Sequence, residues 1–312
     1  MNAKRHNHRF LHAGIFLAAV LATGHLRAEV TISQIPLFVI GGVSPNLMFV
    51  LDDSGSMTWG FMPDELDEAL TYENYDRYVG NCDGYYRFDD QWVCSLDTDG
   101  REYIASPWLN NQYFDPEKTY TPPPQADGGR FPDIDFNSAP EDGYDGNSNR
   151  IDLATEYRAV MDDYYYYGRW GDTYLYGVTV SPNAESSSAF YYKFKEDDSE
   201  ECGDPEDVYR DACYDYTIVT DDQKQNFANW FSYYRTRMMT AKAGVGIAFS
   251  RQPESLRVGF GTINQDSHNV DGENTGTLRR GVRDFKGAER EEFFRLLYAS
   301  EPDGGTPLRG AL

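Results

Sequence analysis

The chain has 312 residues, of which 40% are hydrophobic and 15% aromatic, and its 51 Asp and Glu against 28 Lys and Arg give a formal net charge of −23. That apolar fraction at that length supports at least one packed core, while so acidic a surface argues against binding to nucleic acid or anionic lipid. Four of the five histidines, His6, His8, His12 and His25, lie near the start, which leaves His268 alone to build any Ser/His/Asp set, Cys/His set or Cys/His zinc site downstream.

Residues 1–28 carry Lys4, Arg5 and Arg9, then an apolar run from Leu11 to Ala22 interrupted by His12 and Gly14, then a short approach to Ala28. The apolar core is short for a membrane span and has the layout of a secretory signal peptide, with cleavage expected after Ala28 and an uncleaved anchor as the alternative. Cleavage would remove four basic residues and no acidic ones, leaving 24 against 51 and a charge of −27. No transmembrane segment is expected after it.

The next element is the run Asn46-Leu47-Met48-Phe49-Val50-Leu51, followed by Asp52-Asp53-Ser54-Gly55-Ser56-Met57. Leu47 to Leu51 has the apolar density of a strand buried on both faces. Asp52, Ser54 and Ser56 alternate in a glycine-containing turn where that strand must end, and one carboxylate with two hydroxyls is a donor set for a hard divalent cation. The plain alternative is turn chemistry, since Asp, Ser and Gly favour turns for local reasons.

Residues 57–225 differ in composition, being rich in Tyr, Asp, Gly and Pro and holding all four cysteines. In an exported protein two close cysteine pairs argue for local bridges; three connectivities exist, and Cys82–Cys94 with Cys202–Cys213 is favoured by proximity. Pro122-Pro123-Pro124 and Gly128-Gly129 mark loops, and Asp172 to Val180 with Ala189 to Lys195 read as a hairpin. The segment is read as a disulfide-stapled β-type inserted subdomain. Its tyrosines, including Tyr164 to Tyr167, form either a recognition surface or a thin core. Within Asp142 to Asn149, Asp145, Asn147 and Asn149 alternate like calcium-loop ligands, with Glu156 at the closing position, but Arg150 stands where such a loop needs glycine. A solvated acidic turn is the competing reading.

From Asn226 to Lys242 the residues Phe227, Trp230, Phe231, Tyr234, Met238 and Ala241 recur at helical spacing, and Thr220 with Gln223 provides a capping signal. Leu256 to Ile263 alternates as a strand, and Ala288 to Tyr298 is again helical. Alternating strands and helices argue for an α/β sheet whose ligand-binding loops sit at strand carboxyl ends.

The Asp52-x-Ser54-x-Ser56 pentad after a first strand resembles the metal-ion-dependent adhesion site of von Willebrand factor A domains. The closing Asp303-Gly304-Gly305-Thr306-Pro307-Leu308 is similar to that family's threonine loop. The resemblance implies an open sheet with helices on both faces, assembled from residues 29–56 and 226–312 around the insertion and incomplete at its carboxyl end. It implies Thr306 as a further ligand, Mg²⁺ as the ion with Ca²⁺ or Mn²⁺ as alternatives, and a third, acidic loop that would lie beyond residue 312.

With the signal segment, the phrase Asn226-Phe-Ala-Asn-Trp-Phe-Ser-Tyr-Tyr-Arg-Thr-Arg-Met-Met-Thr-Ala-Lys242 and the phrase Asn111-Gln-Tyr-Phe-Asp-Pro-Glu-Lys-Thr-Tyr120, the chain resembles the amino-terminal region of the PilC/PilY family of type IV pilus proteins. Membership implies an exported, non-enzymatic adhesin and assembly factor in the periplasm, at the pilus tip or on the surface of a Gram-negative cell, meeting minor pilins and host or abiotic surface ligands. It also implies a carboxyl-terminal β-propeller, which is not in this sequence. A mechanical spacer without metal-dependent binding is the first rival. A hydrolase built on Asp52 and Asp53 is the second, weakened because adjacent strand residues point to opposite faces.

Overall fold

The computed structural model describes residues 44–62, 105–157, 188–195, 202–203, 211–264 and 267–307, and the backbone alone of Gly84–Phe88, Gln91–Ser95, Ala159–Met161, Tyr165–Tyr167, Thr173–Leu175 and Val178–Val180. The expected signal segment, a Cys82–Cys94 bridge and the side chains of Tyr164 to Tyr167 lie outside the described residues. In chain order the principal elements are β1 (Asn46–Leu51), β2 (Phe190–Phe194), β3 (Tyr214–Ile218), α1 (Lys224–Tyr233), α2 (Arg237–Ser250), β4 (Arg257–Thr262), β5 (Leu278–Asp284) and α3 (Gly287–Tyr298).

The alternation of strands and helices produces a mixed α/β core. Strand β1 runs parallel to β4, in register from Asn46 opposite Arg257 to Leu51 opposite Thr262, and β4 pairs antiparallel with β5, so the sheet order is β1-β4-β5. Alternation puts Phe49 and Leu51 on one face of β1 and Val258 and Phe260 beside them on β4. Phe249 of α2 and Phe293 of α3 close over that face, with ring centroids 5.4 Å and 6.5 Å from Phe49 and 4.5 Å from each other.

Two expectations do not hold. Strand β1 is not buried on both faces: Leu47 and Met48 are 40% and 39% exposed. Among the described residues it has a strand partner on one side only, at the end of the sheet. Nor, among the described residues, do helices cover both faces of this core, because α2 and α3 meet the same one. The other face carries Met48 lying over Gly259, where a Cβ would come within 2.4 Å of the Met48 methyl carbon.

The helix expected over 226–242 is two helices. Helix α1 buries Phe227, Trp230, Phe231 and Tyr233 against the inserted segment, in a cluster with Tyr113, Phe114, Tyr157 and Phe190, whereas Met238 and Phe249 of α2 belong to the sheet's core. Ring contacts of 4.8 Å for Phe114 with Phe227 and 5.0 Å for Tyr113 with Trp230 each add about 0.5–1.5 kcal/mol beyond area burial. The tyrosines Tyr113, Tyr157, Tyr191, Tyr192 and Tyr214 are therefore core residues.

The break between α1 and α2 has a clear cause. A helix end leaves carbonyls without intrahelical partners, and here the insertion supplies them. Gly143 N–H donates to Ser232 O (2.8 Å), the Tyr144 hydroxyl to Tyr233 O (3.1 Å) and Gln112 Nε2 to Tyr234 O, with a further bond from Gln112 Nε2 to Thr236 O (3.1 Å), the carbonyl that opens α2. Thr236, in extended conformation, then caps α2 by accepting from Met239 N–H at 3.2 Å.

The expected hairpin of Asp172 to Val180 with Ala189 to Lys195 is replaced by other pairings. Strand β2 pairs antiparallel with β3, Phe190 opposite Ile218 and Phe194 opposite Tyr214, while Thr173–Leu175 pairs with Tyr165–Tyr167 and Val178–Val180 with Ala159–Met161. The Cys202–Cys213 disulfide, with Cα atoms 5.5 Å apart, closes the connection after β2 and delivers the chain into β3 at the next residue. No helix among the described residues is long and apolar enough to cross a membrane.

Candidate functional site

The carboxyl end of β1 turns at Asp52, whose Oδ1 accepts from Ser54 N–H at 2.9 Å and from the Ser54 hydroxyl at 2.7 Å. The Ser54 and Ser56 hydroxyl oxygens are 3.3 Å apart. A 3-10 turn, Gly55–Thr58, follows, closed by the Thr58 hydroxyl donating to Gly55 O at 2.7 Å. Turn chemistry and donor clustering are thus one arrangement: the Asx-type bond that makes the turn also brings three oxygens together.

Those separations can be tested against an ion. Neighbouring ligands on an octahedral cation with bonds of about 2.1 Å lie roughly 3 Å apart, and 2.7 Å and 3.3 Å bracket that value. One carboxylate and two hydroxyls, all hard oxygen donors, fit Mg²⁺ in kind as well. Among the described residues no group of three or more His, Cys, Asp or Glu side chains is placed to hold a metal.

The second loop, more than 240 residues later, comes to the same place. Gly55 N–H donates to Gly304 O at 3.0 Å, and Asp303 N–H donates to Asp53 O at 2.8 Å. Gly304 has φ of +63°, a left-handed backbone that favours glycine, and the Asn264 amide lies against its Cα. Thr306 follows two residues on in exposed backbone. Asp52, Ser54 and Ser56 are brought together, and the segment carrying Thr306 is tied to them through the main chain.

Asp53, read in sequence only as half of a carboxylate pair, is fully buried and its Oδ1 accepts from Asn264 N–H at 2.8 Å, while the Asn264 amide donates to Asp303 O. It ties three loops together at the strand ends. The carboxylates of Asp52 and Asp53 are therefore committed to different partners. The exit from the first loop is also pinned: Trp59 and Phe61 stack at 4.9 Å, Arg237 N–H and Nε donate to Trp59 O (3.0 Å) and Phe61 O (2.8 Å), and its guanidinium lies 4.9 Å from the Trp59 ring.

The other cation candidate forms consecutive turns. Asp145 Oδ1 accepts from Asn147 N–H at 2.9 Å, Asn149 O accepts from Glu141 N–H at 2.8 Å, and Glu156 Oε2 accepts from Asp152 N–H at 2.9 Å in the following turn. Arg150 begins a short strand paired with Ala139–Pro140.

One residue near the site escaped the sequence reading. Lys242 of α2 is 1% exposed, and its ammonium sits 3.0 Å from Glu301 Oε1, 4.0 Å from Asp142 Oδ2 and 5.2 Å from the Tyr144 ring centroid. Its signal was present, since Lys242 follows Met238 and Met239 at helical spacing and so falls on the buried stripe.

No family model matches the chain and no solved structure matches it. Among curated proteins it is 31% identical over 288 residues to the type IV pilus biogenesis factor PilY1 of Pseudomonas aeruginosa strain PAO1, covering 91% of this chain and 21% of that protein. It is 30% and 29% identical to the proteins of the same name from strains UCBPP-PA14 and PAK, over 97% and 91% of this chain and 23% and 22% of theirs. The chain thus spans about one-fifth of the length of the curated relatives it matches. Along nine-tenths of its residues or more the chain is PilY1-like, and the resemblance to the PilC/PilY family read from its motifs is shown.

Proposed function

We propose that this chain is the cation-dependent binding region of an exported, type IV pilus-associated adhesin and assembly factor. Asp52, Ser54 and Ser56 hold a divalent cation, Mg²⁺ by donor type, and Thr306 joins them from the second loop. The ion, when bound, offers a Lewis-acidic position to a carboxylate of a partner, in keeping with minor pilins or surface ligands as partners. The single observation that carries this reading is the main-chain union of two remote loops, Gly55 to Gly304 and Asp53 to Asp303, beside three clustered oxygens.

The chain's own residues do the positioning. Asp53 and Asn264 fix the loop ends, Gly55 and Gly304 let the backbones approach, and Arg237 holds the exit from the first loop. Calorimetric titration with Mg²⁺ tests the reading: the parent protein is expected to give a saturable heat that Asp52→Ala removes, and metal-dependent adhesion of the full-length protein is expected to fall with it. A spacer without metal binding is favoured by one observation, that Asp52 and the two serines already hydrogen-bond one another. A parent protein giving no heat with Mg²⁺, Mn²⁺ or Ca²⁺ would establish that alternative.

A further inference from the structure

Lys242 stands between the inserted segment and the second loop. Its ammonium is enclosed by α2, by Asp142 and Tyr144 of the insertion, and by Glu301, which lies two residues before the Asp303 whose N–H is bonded to Asp53 O. A buried ammonium demands compensation, and removing a partner from such a charge is costly enough to move the groups around it. The insertion side of the contact is itself rigid. Asp142 Oδ1 accepts from Tyr144 N–H at 2.7 Å, and the Tyr144 ring stacks at 5.1 Å on Tyr298, the last residue of the helix that leads into Glu301.

We propose that Lys242 is a positioning residue through which the insertion sets the 303–306 loop, so that the state of Asp142 and Tyr144 controls cation affinity at Asp52, Ser54 and Ser56. The proposal rests on the cation-site reading and adds to it a route of regulation: a partner that engages the insertion near Asp142 tightens or loosens the ion through one ammonium and two carboxylates.

The test is Mg²⁺ calorimetry on the full chain, counting only the heat that Asp52→Ala abolishes. Asp142→Asn keeps the oxygen that accepts from Tyr144 N–H and removes the charge facing Lys242; Glu301→Gln does the same on the other side. Each is expected to weaken Mg²⁺ by about fivefold or more. Each is also expected to lower the melting temperature of the metal-free protein, since a buried ammonium loses a partner, and neither is expected to have further effect on Mg²⁺ affinity in a Lys242→Met background. Asp135→Asn, on the same insertion, exposed and with its Oδ1 accepting from Asn137 N–H at 3.0 Å, serves as the charge control and is expected to leave affinity unchanged. Affinity within about twofold of the parent for Asp142→Asn overturns the proposal, as does an equal loss for Asp135→Asn. A parent without Asp52-dependent heat overturns the site itself, a failure visible before any change near Lys242.

Discussion

Gln112 offers a quantitative test of why the chain breaks between α1 and α2. Its side chain is 5% exposed, and Nε2 meets three acceptors: Tyr234 O, Thr236 O at 3.1 Å and the Thr240 hydroxyl oxygen at 2.6 Å. A primary amide has two hydrogens, so about two of these bonds are made at once. At a net value of about 1 kcal/mol each, Gln112→Ala is expected to cost about 2 kcal/mol. The figure stays near that sum because neither carbonyl is orphaned: Thr240 donates to Tyr234 O through its hydroxyl at 2.8 Å and to Thr236 O through its N–H at 2.9 Å. Gln112→Glu is nearly isosteric but turns the donor into an acceptor facing carbonyl oxygens, and is expected to cost more. That confinement raises the new carboxyl's folded pKa, so the Glu variant's stability relative to the parent is present below about pH 4.3 and lost as pH rises through the raised value. Urea denaturation followed by tryptophan fluorescence reads both, since Trp230 Nε1 donates to Gln112 O at 3.1 Å. An alanine variant within about 0.5 kcal/mol of the parent would refute Gln112 as a cause of the break.

Two further outcomes follow from the insertion. Replacing Cys202 and Cys213 by alanine releases a loop with a sequence separation of 11 residues and is expected to cost about 3 kcal/mol by chain entropy, measured as a lower denaturation midpoint, with the linked peptides recovered by mapping only from the parent. Burial raises the phenols of Tyr113 and Tyr144 well above their ordinary range and pushes Tyr120 up to about 12. Protonated phenols are thus favoured by the folded state. Their contribution is intact below about pH 10 and lost as pH rises through the folded values, so alkaline titration at the tyrosinate absorbance is expected to show a late, cooperative step coincident with unfolding.

Strand β4 and helix α3 were legible to within a residue or so because their periodicities are strong and their flanks carry turn residues. The break in the 226–242 helix was not, because Tyr234, Arg235 and Thr236 include neither glycine nor proline. It is imposed by Gln112, Gly143 and Tyr144 from nearly a hundred residues away or more, which no local window contains. The same holds for β1. Its apolar run announces a strand, but whether both faces are covered depends on neighbours, and Met48 and Leu47 show that they are not. At the candidate site the donor types and the glycines were readable from the two motifs. The role of Asp53 was not, since only the return of Asn264 beside it decides whether an acid at a strand end faces solvent or seals a joint.

The dependence of α1 on the insertion has an evolutionary and practical corollary. A segment that terminates another element's hydrogen-bond ladder and supplies the opposite half of its aromatic packing cannot be excised as a cassette: splicing residue 62 directly to residue 224 would strip the Ser232 and Tyr233 carbonyls of their donors and lay Phe227 and Trp230 bare. Chimeras that exchange this region between homologues should therefore carry residues 105–157 and 224–236 as one inheritance, with length variation confined to stretches elsewhere.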